Sequence, residues 1–226
     1  MARKKKKNNY FPKLSPPIML FGALVVLILG MFGIQTPEFI SDYFNSPQSQ
    51  PTEQQAPAKK NSTNPGPQDN GLAVFTEDEL KDAKQGWITY HELDGLGRAT
   101  GADALIKQKM INTGTSANRN IRPPGFISGL EPYFHSRGHL IGRQFGGSGD
   151  DERNLVTLYQ NPVNTPYMTE YENRIRRAVD AGETVRYRVT PVYNDKDLMP
   201  AEVHLEAQGI TAGTQVNFNV TIINEP

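Results

Sequence analysis

The stretch Thr165-Pro-Tyr-Met-Thr-Glu-Tyr-Glu-Asn-Arg-Ile-Arg-Arg-Ala-Val-Asp-Ala-Gly182, followed closely by Val185-Arg-Tyr-Arg-Val-Thr190, decides the fold class. Met168, Tyr171, Ile175, Ala178 and Val179 recur at three- and four-residue intervals, so an amphipathic helix buries that face. Thr165 suits its N-cap, Pro166 its first position and Gly182 its end. Beyond Gly182 the period falls to two. Val185, Tyr187 and Val189 then share one face and Arg186 and Arg188 the other, as a half-buried strand requires. Val203 to Ala207 and Val216 to Ile222 repeat the alternation, which predicts an antiparallel meander. The expected domain is α+β, a sheet covered on one side by helices.

Toward the N-terminus, Thr76-Glu-Asp-Glu-Leu80 reads as a capping box opening a short helix, with Glu79 three residues after Thr76. Trp87-Ile-Thr-Tyr90 reads as a strand carrying the sole tryptophan into the core, and Gly95-Leu-Gly97 as a turn. A short helix is expected from Ala102 to Lys107.

The ends set the context. Six of the 24 basic residues precede Glu38 with no acid among them, leaving 18 basic against 24 acidic residues beyond. The folded part is thus mildly acidic, and nucleic acid could bind it only through a local patch. Residues 1–13 form a basic tail placed in the cytoplasm by the positive-inside rule, and 14–37 an uncharged segment long enough to span a membrane. A cleaved signal peptide is the other reading of that segment. Residues 38–71, rich in Pro and Gln from Ser46, read as a tether with too little apolar surface to offset its ordering entropy, and 72–226 as the exported domain. Cysteine is absent, so the core alone must stabilise it.

Four histidines are present. His204 alternates with apolar residues and faces solvent, and His91 reads as a hydrogen-bonding residue. His139 follows Gly138, whose backbone freedom would let a substrate approach. On the helix, Asn164, Met168, Glu172 and Arg176 stand four apart, so one stripe offers a neutral oxygen, a carboxylate and a guanidinium. That stripe is equally the pattern of a surface ion pair. Joined to an imidazole, it fits phosphodiester hydrolysis, which needs a base near neutral pH, a hard cation and positive charge for the transition state.

Ser136-Arg-Gly-His139, Asn154-Leu-Val156, Asn164 and Glu172-Asn-Arg-Ile-Arg176 resemble, in order, the conserved elements of the DNA/RNA non-specific endonucleases. These ββα-metal (His-Me finger) nucleases include competence-associated and secreted streptococcal DNases. The resemblance runs from Trp87 through Arg186-Tyr-Arg-Val-Thr-Pro-Val-Tyr193. It implies His139 as general base, Asn164 as protein ligand to Mg²⁺ (Mn²⁺ as second choice) and Arg176 as transition-state stabiliser. It further implies Glu172 orienting the ion's water, with Arg137 and Asn154 supporting the site. Ser136 stands where the family has aspartate, and Asn161 is the alternative ligand because the spacing from Asn154 is one residue long.

Arg174, Arg177, Arg186 and Arg188 would track phosphates of DNA, with RNA the second candidate substrate, and the N-terminal helix of residues 14–37 would meet the membrane. Two other readings stay open. One is an inactive surface domain that captures nucleic acid; the other is a structural zinc site on His135 and His139, four apart.

Overall fold

The computed structural model describes residues 63–129 and 131–226. The stretches read as tail, anchor and most of the tether lie outside the described residues. Among the described residues, no helix is long and apolar enough to cross a membrane.

Two antiparallel sheets and one long helix make up the domain. The larger sheet has the order β1-β8-β7-β6-β3-β2, from β1 (Gln68–Asp69), β2 (Trp87–Tyr90), β3 (Ala102–Ile106), β6 (Val185–Val192), β7 (Glu202–Gly209) and β8 (Asn217–Ile223). The smaller pairs β4 (His135–His139) with β5 (Leu155–Tyr159). Irregular wide turns over Gln160–Met168 then lead into α1 (Thr169–Asp180), completing a strand-strand-helix unit.

The predicted meander is present, and its inward residues form the core. Val185, Tyr187, Val189, Val203, Leu205, Ala207, Phe218, Val220 and Ile222 are buried together with Ile175 and Val179 of α1. The helix ends as Gly182 foretells. Gly182 has φ +93°, and the Gly182 and Glu183 N–H groups donate to Val179 and Ala178 carbonyls, the paired bonds of a Schellman stop. Its start differs from the expected one. Thr165 is extended, and its hydroxyl meets Thr169 Oγ1 at 3.4 Å instead of capping a backbone N–H.

Ala102–Ile106 is a strand, not the expected helix, and every residue in it is buried. It lies between β2 and β6, where both faces are covered, so it shows no alternation. The capping box forms, Thr76 N–H to Glu79 at 3.0 Å and Glu79 N–H to Thr76 Oγ1 at 3.3 Å, but closes a single turn. Trp87 is half-buried.

The folded unit begins before Leu72. β1 pairs with β8 through Gln68 and Asp69, and Asn64 donates to the carbonyls of Ile223 and Glu225 at 3.0 and 2.7 Å. Past β1 the chain crosses the face of the large sheet opposite α1. Val74 N–H donates to Glu206, and Arg186 and Arg188 lie 4.8 and 4.9 Å from the Phe75 ring.

Candidate active site

β4 turns His135, Arg137 and His139 to one face, and Ser136 and Gly138 to the other. Gly138 was expected to supply unusual backbone freedom. It does not have a positive φ; it supplies room, because a Cβ would collide with Leu158 and stand 3.5 Å from Asn164 Oδ1. The missing side chain lets the wide turns of Gln160–Met168 bring the Asn164 amide onto the strand that ends in His139. Asn161 is exposed and extended, whereas Asn164 is half-buried with Nδ2 donating to Gln160 at 3.3 Å. The geometry therefore favours Asn164 over Asn161 as the oxygen near the strand.

His139 Nε2 lies 3.1 Å from the Thr115 carbonyl. A carbonyl only accepts, so Nε2 carries the proton and Nδ1 keeps its lone pair. Burial lowers the imidazole's proton affinity; the hydrogen bond with Thr115 opposes it in part, and the nearby Arg143 guanidinium adds a smaller lowering effect. The ring is thus neutral at neutral pH. Thr115 is in turn laced to the following loop: its N–H donates to Gly147 at 3.1 Å, and its hydroxyl accepts from Gly149 N–H at 2.8 Å. The loop Gly146-Gly-Ser-Gly-Asp-Asp151 is thus a scaffold for the Thr115 carbonyl that meets His139.

Asn154 is fully buried. It accepts from Ile141 N–H at 2.8 Å and donates to the Ile141 and Ser148 carbonyls at 3.1 and 2.9 Å, so it fixes the backbone just after His139 and touches no substrate. The Ser136 hydroxyl reaches only the Leu158 carbonyl, at 3.4 Å.

Glu172 projects from α1 beneath the turn Arg143–Phe145. Gly142 N–H donates to its carboxylate and Gln144 Nε2 does so at 3.2 Å. Burial outweighs these donors and raises its carboxyl to about 7. The Tyr187 hydroxyl, buried and without a hydrogen-bond partner, is close enough for the Glu172 charge to add to the burial that holds its proton. Arg176, one turn on, is held by Asp180 at 2.8 Å and by Asn112 at 3.1 Å. Asn112 N–H donates to the Gln144 carbonyl at 2.8 Å, so Glu172 and Arg176 brace the same turn.

Asn164 Oδ1 and the Glu172 carboxylate are the oxygens this site offers a cation. A desolvated carboxylate without a counter-charge suits a hard divalent ion that keeps most of its waters. The zinc reading fails. His135 and His139 lie on a strand, about 13 Å apart along it, and no group of three or more His, Cys, Asp or Glu converges among the described residues.

Several predicted phosphate contacts are elsewhere. Arg186 is 3% exposed, paired with Asp103 and sandwiched between Phe75 and Trp87. Arg188 is bound by Glu79, Asp103 and Glu206 on the same face. Both are committed to carboxylates under the crossing segment, on the face of the large sheet opposite α1. Arg174 lies over the Tyr171 and Phe218 rings, and Arg177 is exposed on α1. The sequence reading missed Arg143, Arg119 and Arg122. For Arg119 and Arg122 a signal was available, since no acid occurs from Ala104 to Leu130 in an otherwise acidic domain.

A sequence model of the DNA/RNA non-specific endonuclease family matches residues 78–211, more than half of the chain. The chain belongs to this family. The endonuclease is similar to NucA from Streptococcus agalactiae. Against the crystal structure with magnesium ion bound, identity is 26% and TM-score 0.58, covering 70% of this chain and 83% of NucA. Against the one with no metal bound they are 27% and 0.56, covering 74% and 86%. The Sda1 nuclease with bound zinc ion shares the fold at 21% identity and TM-score 0.51, covering 62% of this chain and 74% of Sda1. The endonuclease is accordingly a hydrolase of nucleic acid.

Proposed function

We propose that this endonuclease is anchored by residues 14–37 with its C-terminal domain outside the cell. There it hydrolyses DNA, and RNA as a second substrate class, without reading sequence. The observation that carries the catalytic reading is the fixed tautomer of His139, whose Nε2–H is committed to Thr115 while Nδ1 stays free. Nδ1 takes the proton of the attacking water as its oxygen adds to phosphorus. The P–O3′ bond then breaks, and the departing 3′-oxygen takes a proton from solvent water, leaving a 5′-phosphate and a 3′-hydroxyl.

Arg176 uses Nε and one terminal nitrogen on Asp180 and Asn112, so its other terminal nitrogen can meet charge developing on the phosphate. Glu172 orients water, and Asn164 would hold Mg²⁺, or Mn²⁺. A divalent ion supplies polarisation of the phosphate and of the leaving oxygen. The magnesium in NucA and the zinc in Sda1 support a divalent ion. Ser136 leaves the site one carboxylate poorer than the family pattern.

The test is plasmid cleavage by the purified chain with Mg²⁺. Activity should be abolished by EDTA and by His139→Ala, and full activity in that variant would overturn the assignment.

A further inference from the structure

Three of the large exposed hydrophobic residues, Ile127, Tyr133 and Phe134, fall in the segment leading into β4, with Tyr133 44% and Phe134 40% exposed. Phe134 has φ +48°, a conformation unfavourable for a bulky residue, and its carbonyl is held there by Gln160 N–H at 2.8 Å. The fold thus keeps this ring outward against its backbone preference. Next to it along the chain is an aromatic cluster. The Tyr133 and Tyr159 rings pack on His135 at 5.5 and 5.3 Å, and His135 Nδ1 accepts from Ile127 N–H at 3.2 Å.

Arg119, Arg122 and Arg137 gather near Phe126, whose ring lies 6.4 Å from the His135 ring. Arg137 lies 4.0 Å over the Phe126 ring and donates to the carbonyls of Ile121 and Arg119 at 2.6 and 3.0 Å. Burial and then the charges of Arg122 and Arg119 make it easier to deprotonate. Among the described residues none of the three joins an ion pair. Three neighbouring cations without a counter-charge repel one another, and a polyanion relieves that repulsion.

Exposed rings joined to uncompensated arginines are what an unpaired strand recognises, since its phosphates meet the guanidiniums and its bases stack on the rings. A duplex hides its base faces. Along β4, Arg137 and then His139 follow, so Phe134 and Tyr133 lie at most about 17 and 20 Å along the chain from His139, a few nucleotides of single strand.

We propose that Tyr133 and Phe134 form a stacking shelf for unpaired bases flanking the scissile phosphate, biasing the enzyme toward single-stranded DNA or RNA. The proposal rests on the catalytic reading of His139, and its test separates the two. In the full chain, Tyr133→Ser with Phe134→Asn removes both rings, asparagine tolerating the positive φ. The ratio of kcat/KM on oligo(dT) to that on a paired duplex should fall about 10-fold or more, through KM. Tyr133→Phe with Phe134→Tyr, which keeps the rings, should restore the ratio.

Binding of labelled oligo(dT) to His139→Ala, with and without the ring substitutions, reads the shelf independently of turnover. About 10-fold weaker binding supports it. Equal binding overturns it even where hydrolysis is intact, and so does an equal loss on duplex, which would mark the rings as a wedge or a structural element. Absence of hydrolysis in the unsubstituted chain would instead overturn the catalytic reading. If the double variant does not fold, Arg122→Gln must weaken oligo(dT) binding for the shelf to stand.

Discussion

The carboxylate of Glu172 rests against Gly142 so closely that a Cβ there would stand 2.6 Å from Oε1 and 2.9 Å from Oε2. The glycine admits a helix carboxylate beneath the turn that follows His139. Enclosure raises the acid to about 7, so it resists ionisation.

Glu172 should therefore cost stability at high pH. Its folded value lies above its unfolded value of about 4.5, so the folded state binds more protons between the two and stability declines as pH rises from about 4.5 to 7. Glu172→Gln should stabilise the domain by about 3 to 4 kcal/mol at pH 8, at roughly 1.4 kcal/mol per unit, with the gain gone by pH 4. The same variant should cut more slowly. Thermal melts at both pH values check this, and Mg²⁺ should raise the melting temperature of the parent more at pH 8 than at pH 5.

His139→Ala should lower kcat about 10²- to 10⁴-fold with little change in melting temperature, since the ring makes one backbone hydrogen bond. The imidazole's value is lowered, so neutral base is lost only as pH falls below the ordinary histidine value of about 6.5. In Glu172→Gln, where the second titration is removed, the rising limb of kcat/KM should lie below pH 6.5. A midpoint above 7 would contradict the burial of this imidazole.

Arg186 and Arg122 should separate cleanly. Arg186→Ala leaves Asp103 with less compensation on a buried face and should cost about 3 to 5 kcal/mol. Arg122→Gln should shift stability by no more than about 0.5 kcal/mol, yet reduce the slope of log affinity against log salt by about 1. Urea melts and a salt titration of DNA binding read both effects.

The segment before Leu72 should matter to folding. A chain beginning at residue 72 loses β1 and the Asn64 bonds to the Ile223 and Glu225 carbonyls, and should be about 2 to 4 kcal/mol less stable than one beginning at residue 60. Comparing their denaturation midpoints decides it.

Sequence alone determined what local periodicity can carry, the meander and the helix with its Gly182 stop, and its ordered motifs nominated His139, Asn164, Glu172 and Arg176 as the candidate site. Alternation and 3.6-residue spacing record which face is buried, and they survive wherever one face meets solvent. They failed at Ala102–Ile106, where both faces are buried and the pattern vanishes, and at Arg186 and Arg188, where the second face is covered by a segment over a hundred residues earlier. Only the tertiary structure decided that Thr115 fixes the His139 tautomer, that Gly142 admits Glu172, and that Arg119, Arg122 and Arg137 share one patch. Each joins residues far apart in the chain or on different elements, and no local spacing encodes such a contact.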